Sequence, residues 1–422
     1  MSAESTAVST SKGLGPRGLL LAMIAASLVV LFLVWWKTGQ KQAARETLIS
    51  QFDAQIETDL EAEGEWVVMM SHDSLRDLTE VAPLMNRMGK VSVLDLSGSS
   101  NLESFEGAET LRSLVSLVAI DCPSLATTKG VTGLPKLREL IVQECPKLTQ
   151  VESLESLPSL VTLDLAGATS LTTLEIGEAP SLQGLTLSRT DQLGSLDLSG
   201  ATGLQRLFLD GCRSLTQLSG LGQLSHLTDL DVSTCHGLTE LDGLGQLTSL
   251  KLFDFRNATG WKDINVVSSI PGLEVLRMGG REDVEDLSLL TGLTQLSELH
   301  VEACVNLKSL AGMPASVSGY AAFTHCPQLV TLSGIESAKL LARVDLSGCE
   351  ALNDINALSA LTALQEVNLG GCRGVTKVDV LATLPELEIV QLGGSGVSPT
   401  MLRELQKQKP ETIFDFSGGG EY

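Results

Sequence analysis

Cysteine recurs in this chain on a fixed beat. Cys122 and Cys145 lie 23 residues apart, as do Cys212 and Cys235, Cys326 and Cys349, and Cys349 and Cys372. Around each the same string returns: LTDLDVSTCHGL at 227–238, LARVDLSGCEAL at 341–352, LQEVNLGGCRGV at 364–375. Self-similarity at a step of this size builds a solenoid, in which every coil packs only on its neighbours. Where cysteine is missing, the slot is held by Ser99, Ala168, Thr190, Ala201, Ala258 or Ser395, with Arg281 as the exception. Aromatic residues make up 4% of the chain, so leucine must supply the core.

The pattern LxxLxLxxCxxL resembles the leucine-rich repeat family, and LTQLSGLGQLSHLTDLDVSTC (215–235) resembles its bacterial internalin-like class. The usual asparagine of the ladder position is absent; cysteine or a small residue replaces it. The resemblance covers roughly five-sixths of the chain. It implies an α/β leucine-rich repeat solenoid: a curved right-handed coil with a parallel concave sheet and a mostly 3₁₀ or irregular convex side. In each LxL the leucines point inward and the residue between them outward. The repeats are expected over residues 66–397, beginning with a capping strand at 66–70 and with His72 in the ladder slot. Between about 168 and 212 the pattern restarts every 11 residues, at Ala179, Thr190 and Ala201. Two such halves make one coil, so a second set of strands is expected on the outer side, at 174–176 and 196–198. Residues 398–422 read as a C-terminal cap of helix, strand and loose tail, with Ser398 and Pro399 starting the helix.

Ahead of the repeats, residues 1–18 read as a disordered tail. Leu19 to Trp36 is an uninterrupted apolar run, within the ~17–25 residues that cross a bilayer as a helix. It is longer than a signal-peptide core and ends in Trp35, Trp36 and Lys37, so an uncleaved transmembrane anchor is expected. The repeats are expected on the extracytoplasmic side, as on a bacterial surface; the cytoplasmic face is the alternative. Residues 37–65 read as a juxtamembrane helix and N-terminal cap, with Leu48, Ile49, Phe52, Ile56 and Leu60 at helical spacing.

The eight cysteines, Cys122, Cys145, Cys212, Cys235, Cys304, Cys326, Cys349 and Cys372, occupy equivalent slots and point the same way. They are expected as buried thiols of a structural ladder rather than disulfides. No ligand set converges for a metal, no cofactor is expected, and no catalytic or phosphate-binding motif is present. A net charge of −22 argues against nucleic acid, whose phosphates need lysine and arginine. What remains is binding. Arg206, Phe208, Arg256, Arg277, His300 and Tyr320 stand out on the outward columns as contact candidates, because arginine and aromatic residues concentrate at interface centres. The function expected is a membrane-anchored protein that binds another protein, or a cell-surface polymer, through its concave sheet. The alternative is a structural spacer with a dimerising stalk and no dedicated ligand.

Overall fold

In the computed structural model, which describes residues 16–59 and 64–417, and side chains from Phe32 onward, the chain is a solenoid. Its concave side is one sheet of seventeen strands among the described residues. The first strand, β1 (Gln55–Thr58), pairs antiparallel with β2 (Glu65–Met69). β2 pairs parallel with β3 (Lys90–Asp95). Every later strand pairs parallel with the equivalent strand of the next coil, ending at Ile413–Asp415.

The register is the repeat made physical. Leu94 faces Leu117, Leu117 faces Leu140, and the column continues through Leu163 and Leu185 to Val390. Each of these residues is buried. On the opposite side short 3₁₀ turns such as Leu221–Gln223 and Leu244–Gln246 carry the second leucine column inward. The outward residues form a second column, running Asp164, Thr186, Phe208, Asp231, Asp254, Arg277 and His300 on adjacent strands.

The 11-residue segment carries a second, three-stranded parallel sheet on the convex side. Its strands are Thr173–Leu174, Ser195–Asp197 and Gln217–Ser219, with Leu174, Leu196 and Leu218 in register. The first two begin one residue earlier than the expected 174–176 and 196–198, and the third, which has no expected counterpart, lies beyond the 168–212 segment. Both halves of these coils present a leucine flanked by polar residues, so both sides pair as strands.

One backbone feature recurs in every regular coil. The residue just before the ladder slot is left-handed, whether glycine (Gly348, φ 74°) or not (Asp121, Glu144, Arg189, Thr234, Asn257, Ala303 and His325). That turn lets the ladder side chain swing inward after the strand. The cysteines filling it are all free and buried. His72 also takes the ladder position, accepting the amide of Leu75, but it is only half-buried and packs edge-on against Phe52 at 6.0 Å.

The N-terminal segment differs from the expectation. A single helix, α1 (Pro16–Phe52), runs through the apolar stretch and into the cap. It stops at Phe52, before the expected helical positions Ile56 and Leu60: Asp53 adopts a left-handed turn (φ 51°), and Ile56 lies in β1 opposite Val68. Leu60 lies outside the described residues, as do residues 1–15 of the expected tail and 418–422 at the other end. Ala44, Leu48 and Phe52 are buried while Ile49 is exposed, so the stripe is narrower than helical spacing alone implies. Behind it, α2 (Ala82–Met88) buries Met85 and Met88 under the same cap. Among the described residues no helix is long and apolar enough to cross a membrane. The side chains of Leu19 to Leu31, most of the expected span, lie outside the described part. At the far end α3 (Pro399–Gln408) closes the coil, with Ser398 accepting the Met401 amide at 3.3 Å and Leu405 buried.

Candidate binding face

The six candidate residues lie within a span of six consecutive strands of the concave sheet, Arg206–Phe208, Asp229–Asp231, Leu252–Asp254, Val275–Gly279, Glu298–Glu302 and Tyr320–Thr324, of which the first and the last three carry five of them. Arg256 lies just past the third. Arg206 and Phe208 share one strand, the first exposed and the second half-buried. Phe208 stands between Thr186 and Asp231.

The other four form a tighter group. Arg277 faces His300 across paired strands. The His300 and Tyr320 rings lie 5.1 Å apart. Burial and the neighbouring Arg277 push His300 below its ordinary pKa, against a smaller pull from Glu298, whose carboxylate lies 3.8 Å away. The neutral ring is therefore favoured at pH 7. Tyr320 is shifted upward, by burial first and then by Asp345. Ala322, small and nearly buried, stands between His300 and Asp345 on the same column. The sheet therefore dips between those two side chains.

Arg256 is not a free contact. Its guanidinium grips Asp254, whose side chain is 1% exposed, and lies 3.8 Å from Glu302. The charge is spent on the protein's own carboxylates, although the side chain stays partly exposed. Two participants escaped the sequence reading. Arg343 lies over the Tyr320 ring at 5.7 Å and pairs with it in register; the 23-residue step from Tyr320 points straight to it. Glu298 borders both rings, two residues before His300 on the same strand and in register with Tyr320.

Behind this face the ladder fixes the strand spacing. Cys349 donates to the Phe323 carbonyl at 2.9 Å, Cys372 to Leu346 at 3.0 Å and Cys235 to Leu209 at 3.1 Å. Each thiol thus ties its coil to the one before. Burial pushes Cys304 and Cys372 up to about 12. In the contacting pairs the shift is opposed: the bond to Cys145 lowers Cys122 while Cys145 itself rises. Arg281 takes the slot differently, its buried guanidinium donating to the Ala258 and Trp261 carbonyls and pairing with Asp283. Among the described residues no group of three or more His, Cys, Asp and Glu is placed to hold a metal ion.

No protein-family model matches the sequence, and no curated protein matches it. Solved structures do match. The chain is similar to the leucine-rich repeat protein LIC12759 of Leptospira interrogans, at 19% identity and TM-score 0.52, over 82% of this chain and 83% of that one. It is similar to the TLR13 chain of a TLR13–ssRNA13 complex, at 16% identity and TM-score 0.58, over 81% of this chain and 56% of that one. A functional domain of InlJ from Listeria monocytogenes, which includes a cysteine ladder, matches at 21% identity and TM-score 0.42, over 69% of this chain and 73% of that one. In fold, this chain is a leucine-rich repeat solenoid, with its buried cysteines at regular spacing.

Proposed function

We propose that this protein is a non-covalent binder whose concave sheet docks a protein partner. The contact would centre on Arg206, Phe208, Arg277, His300 and Tyr320, with Arg256 holding the floor through Asp254. The observation that carries the reading is the grouping of Arg277, His300 and Tyr320 on three adjacent strands, with Arg206 and Phe208 three strands away on the same sheet. A pre-formed face loses little ordering entropy on binding. A surface polymer remains the other occupant of the same face. The apolar run Leu19–Trp36 would tether the chain to a membrane, with the repeats displayed on the extracytoplasmic side.

The spacer reading draws less support. Leu48 and Phe52, the stripe a dimeric stalk would use, are buried within the cap. The test is capture of partners from membrane extracts by the full chain, comparing wild type with a variant carrying alanine at Arg206, Phe208, Arg277 and Tyr320. Loss of capture with unchanged thermal melting supports binding through this face. Unchanged capture contradicts it.

A further inference from the structure

The end of α1 that projects from the cap is unlike the rest of the molecule. Residues 32–43 are exposed, and they include Phe32, Leu33, Val34, Trp35 and Trp36. Lys37 and Lys41 follow at once, four residues apart and so on one helix face. Neither enters an ion pair among the described residues. Arg45, one turn further, is already taken by the cap: it lies over the Trp66 ring at 5.5 Å and donates to the Ile56 carbonyl. The charge of the chain is divided at this point. Residues 1–45 hold five Lys and Arg against one Glu, a net +4, so with −22 overall the remainder carries −26.

We propose that Lys37 and Lys41 form a collar that binds the headgroups of anionic phospholipids at the membrane surface. This rests on the tether reading above. Tryptophans favour the headgroup region, and lysines immediately beyond an apolar segment gain energy from a negatively charged leaflet. A second copy of α1 is the poorer occupant, because side-by-side helices would bring like-charged lysines together. The acidic body fits the same arrangement. α1 continues without a break from Trp36 to the first buried cap residue, Ala44, a rise of about 12 Å. Charges are screened over roughly 8 Å at physiological salt. The −26 portion therefore begins just beyond the strong field of the surface, held off by a stiff helix.

The experiment reconstitutes the full chain into mixed vesicles of phosphatidylcholine and phosphatidylglycerol, one lipid or the other carrying brominated chains. Bromine quenches tryptophan on contact. Trp261 is buried and Trp66 half-buried in the solenoid, so they supply an unquenched background. Brominated phosphatidylglycerol should quench Trp35 and Trp36 severalfold more per molecule than brominated phosphatidylcholine. Lys37→Gln and Lys41→Gln should each reduce that preference by up to roughly fivefold, and high salt should abolish it in the wild type. Equal quenching by the two lipids overturns the collar while leaving the tether standing. No quenching by either overturns both.

Discussion

Arg256 closes on Asp254 from two residues along the chain, its Nε 3.1 Å from each carboxylate oxygen and a terminal nitrogen 2.8 Å from one of them. The carboxylate is buried and in register with Asp231 on one side and Arg277 on the other. Without Arg256 it would lie buried and unpaired beside a second acid. Arg256→Ala should therefore cost about 2 kcal/mol, less than a fully buried pair because the arginine is partly exposed. Adding Asp254→Asn should restore much of the loss. Urea melting of the single and double variants checks the coupling; additive losses would contradict it.

Asp231 should make stability depend on pH. Its pKa is raised, by burial first and then by Asp254. A carboxylate with a higher pKa in the folded state opposes folding once it ionises. That penalty is full above the folded pKa and disappears as pH falls below the unfolded value, about 3.9. Asp231→Asn should raise the melting temperature at pH 7.5, and the gain should vanish near the unfolded pKa. An equal gain at both pH values would point to packing instead of charge.

The thiols supply a chemical readout of the ladder. All eight are free and buried. A thiol reagent should label almost none of them in the native protein and all eight after denaturation without reductant. Fewer than eight would show that some pair as disulfides. Cys349→Ala, which removes the bond to the Phe323 carbonyl, should destabilise by about 1–2 kcal/mol through the orphaned acceptor and the space left behind.

Thr234 holds the left-handed position before Cys235 at φ 61°. This is a costly conformation for a β-branched residue. Thr234→Gly should stabilise the protein by about 1 kcal/mol, despite the greater freedom that glycine brings to the unfolded chain. A loss of stability would mean that the threonine side chain contributes more than its backbone strain costs.

The concave register was legible because the repeat fixes it: a 23-residue step from Asp231 lands on Asp254, then Arg277, then His300. The second sheet was legible for the same reason, since two 11-residue halves must share one coil. Arg256 was not legible as a spent charge. Whether a long side chain turns to the solvent or folds onto a carboxylate two residues away depends on its rotamer, which periodicity does not encode. The end of α1 was hidden too. No glycine or proline marks it; Asp53 turns the chain, and Ile56 keeps helical spacing with Phe52 by coincidence while pairing as a strand.

The concave sheet is the face proposed to meet the partner. Photo-crosslinking tests this most directly, with benzoylphenylalanine placed at Phe208 and at Tyr320, and at exposed Glu240 and Ser268 as controls away from the sheet. In cells making the protein, adducts should form from Phe208 and Tyr320 and not from the controls. Adducts from Glu240 or Ser268 with none from the concave positions would contradict it.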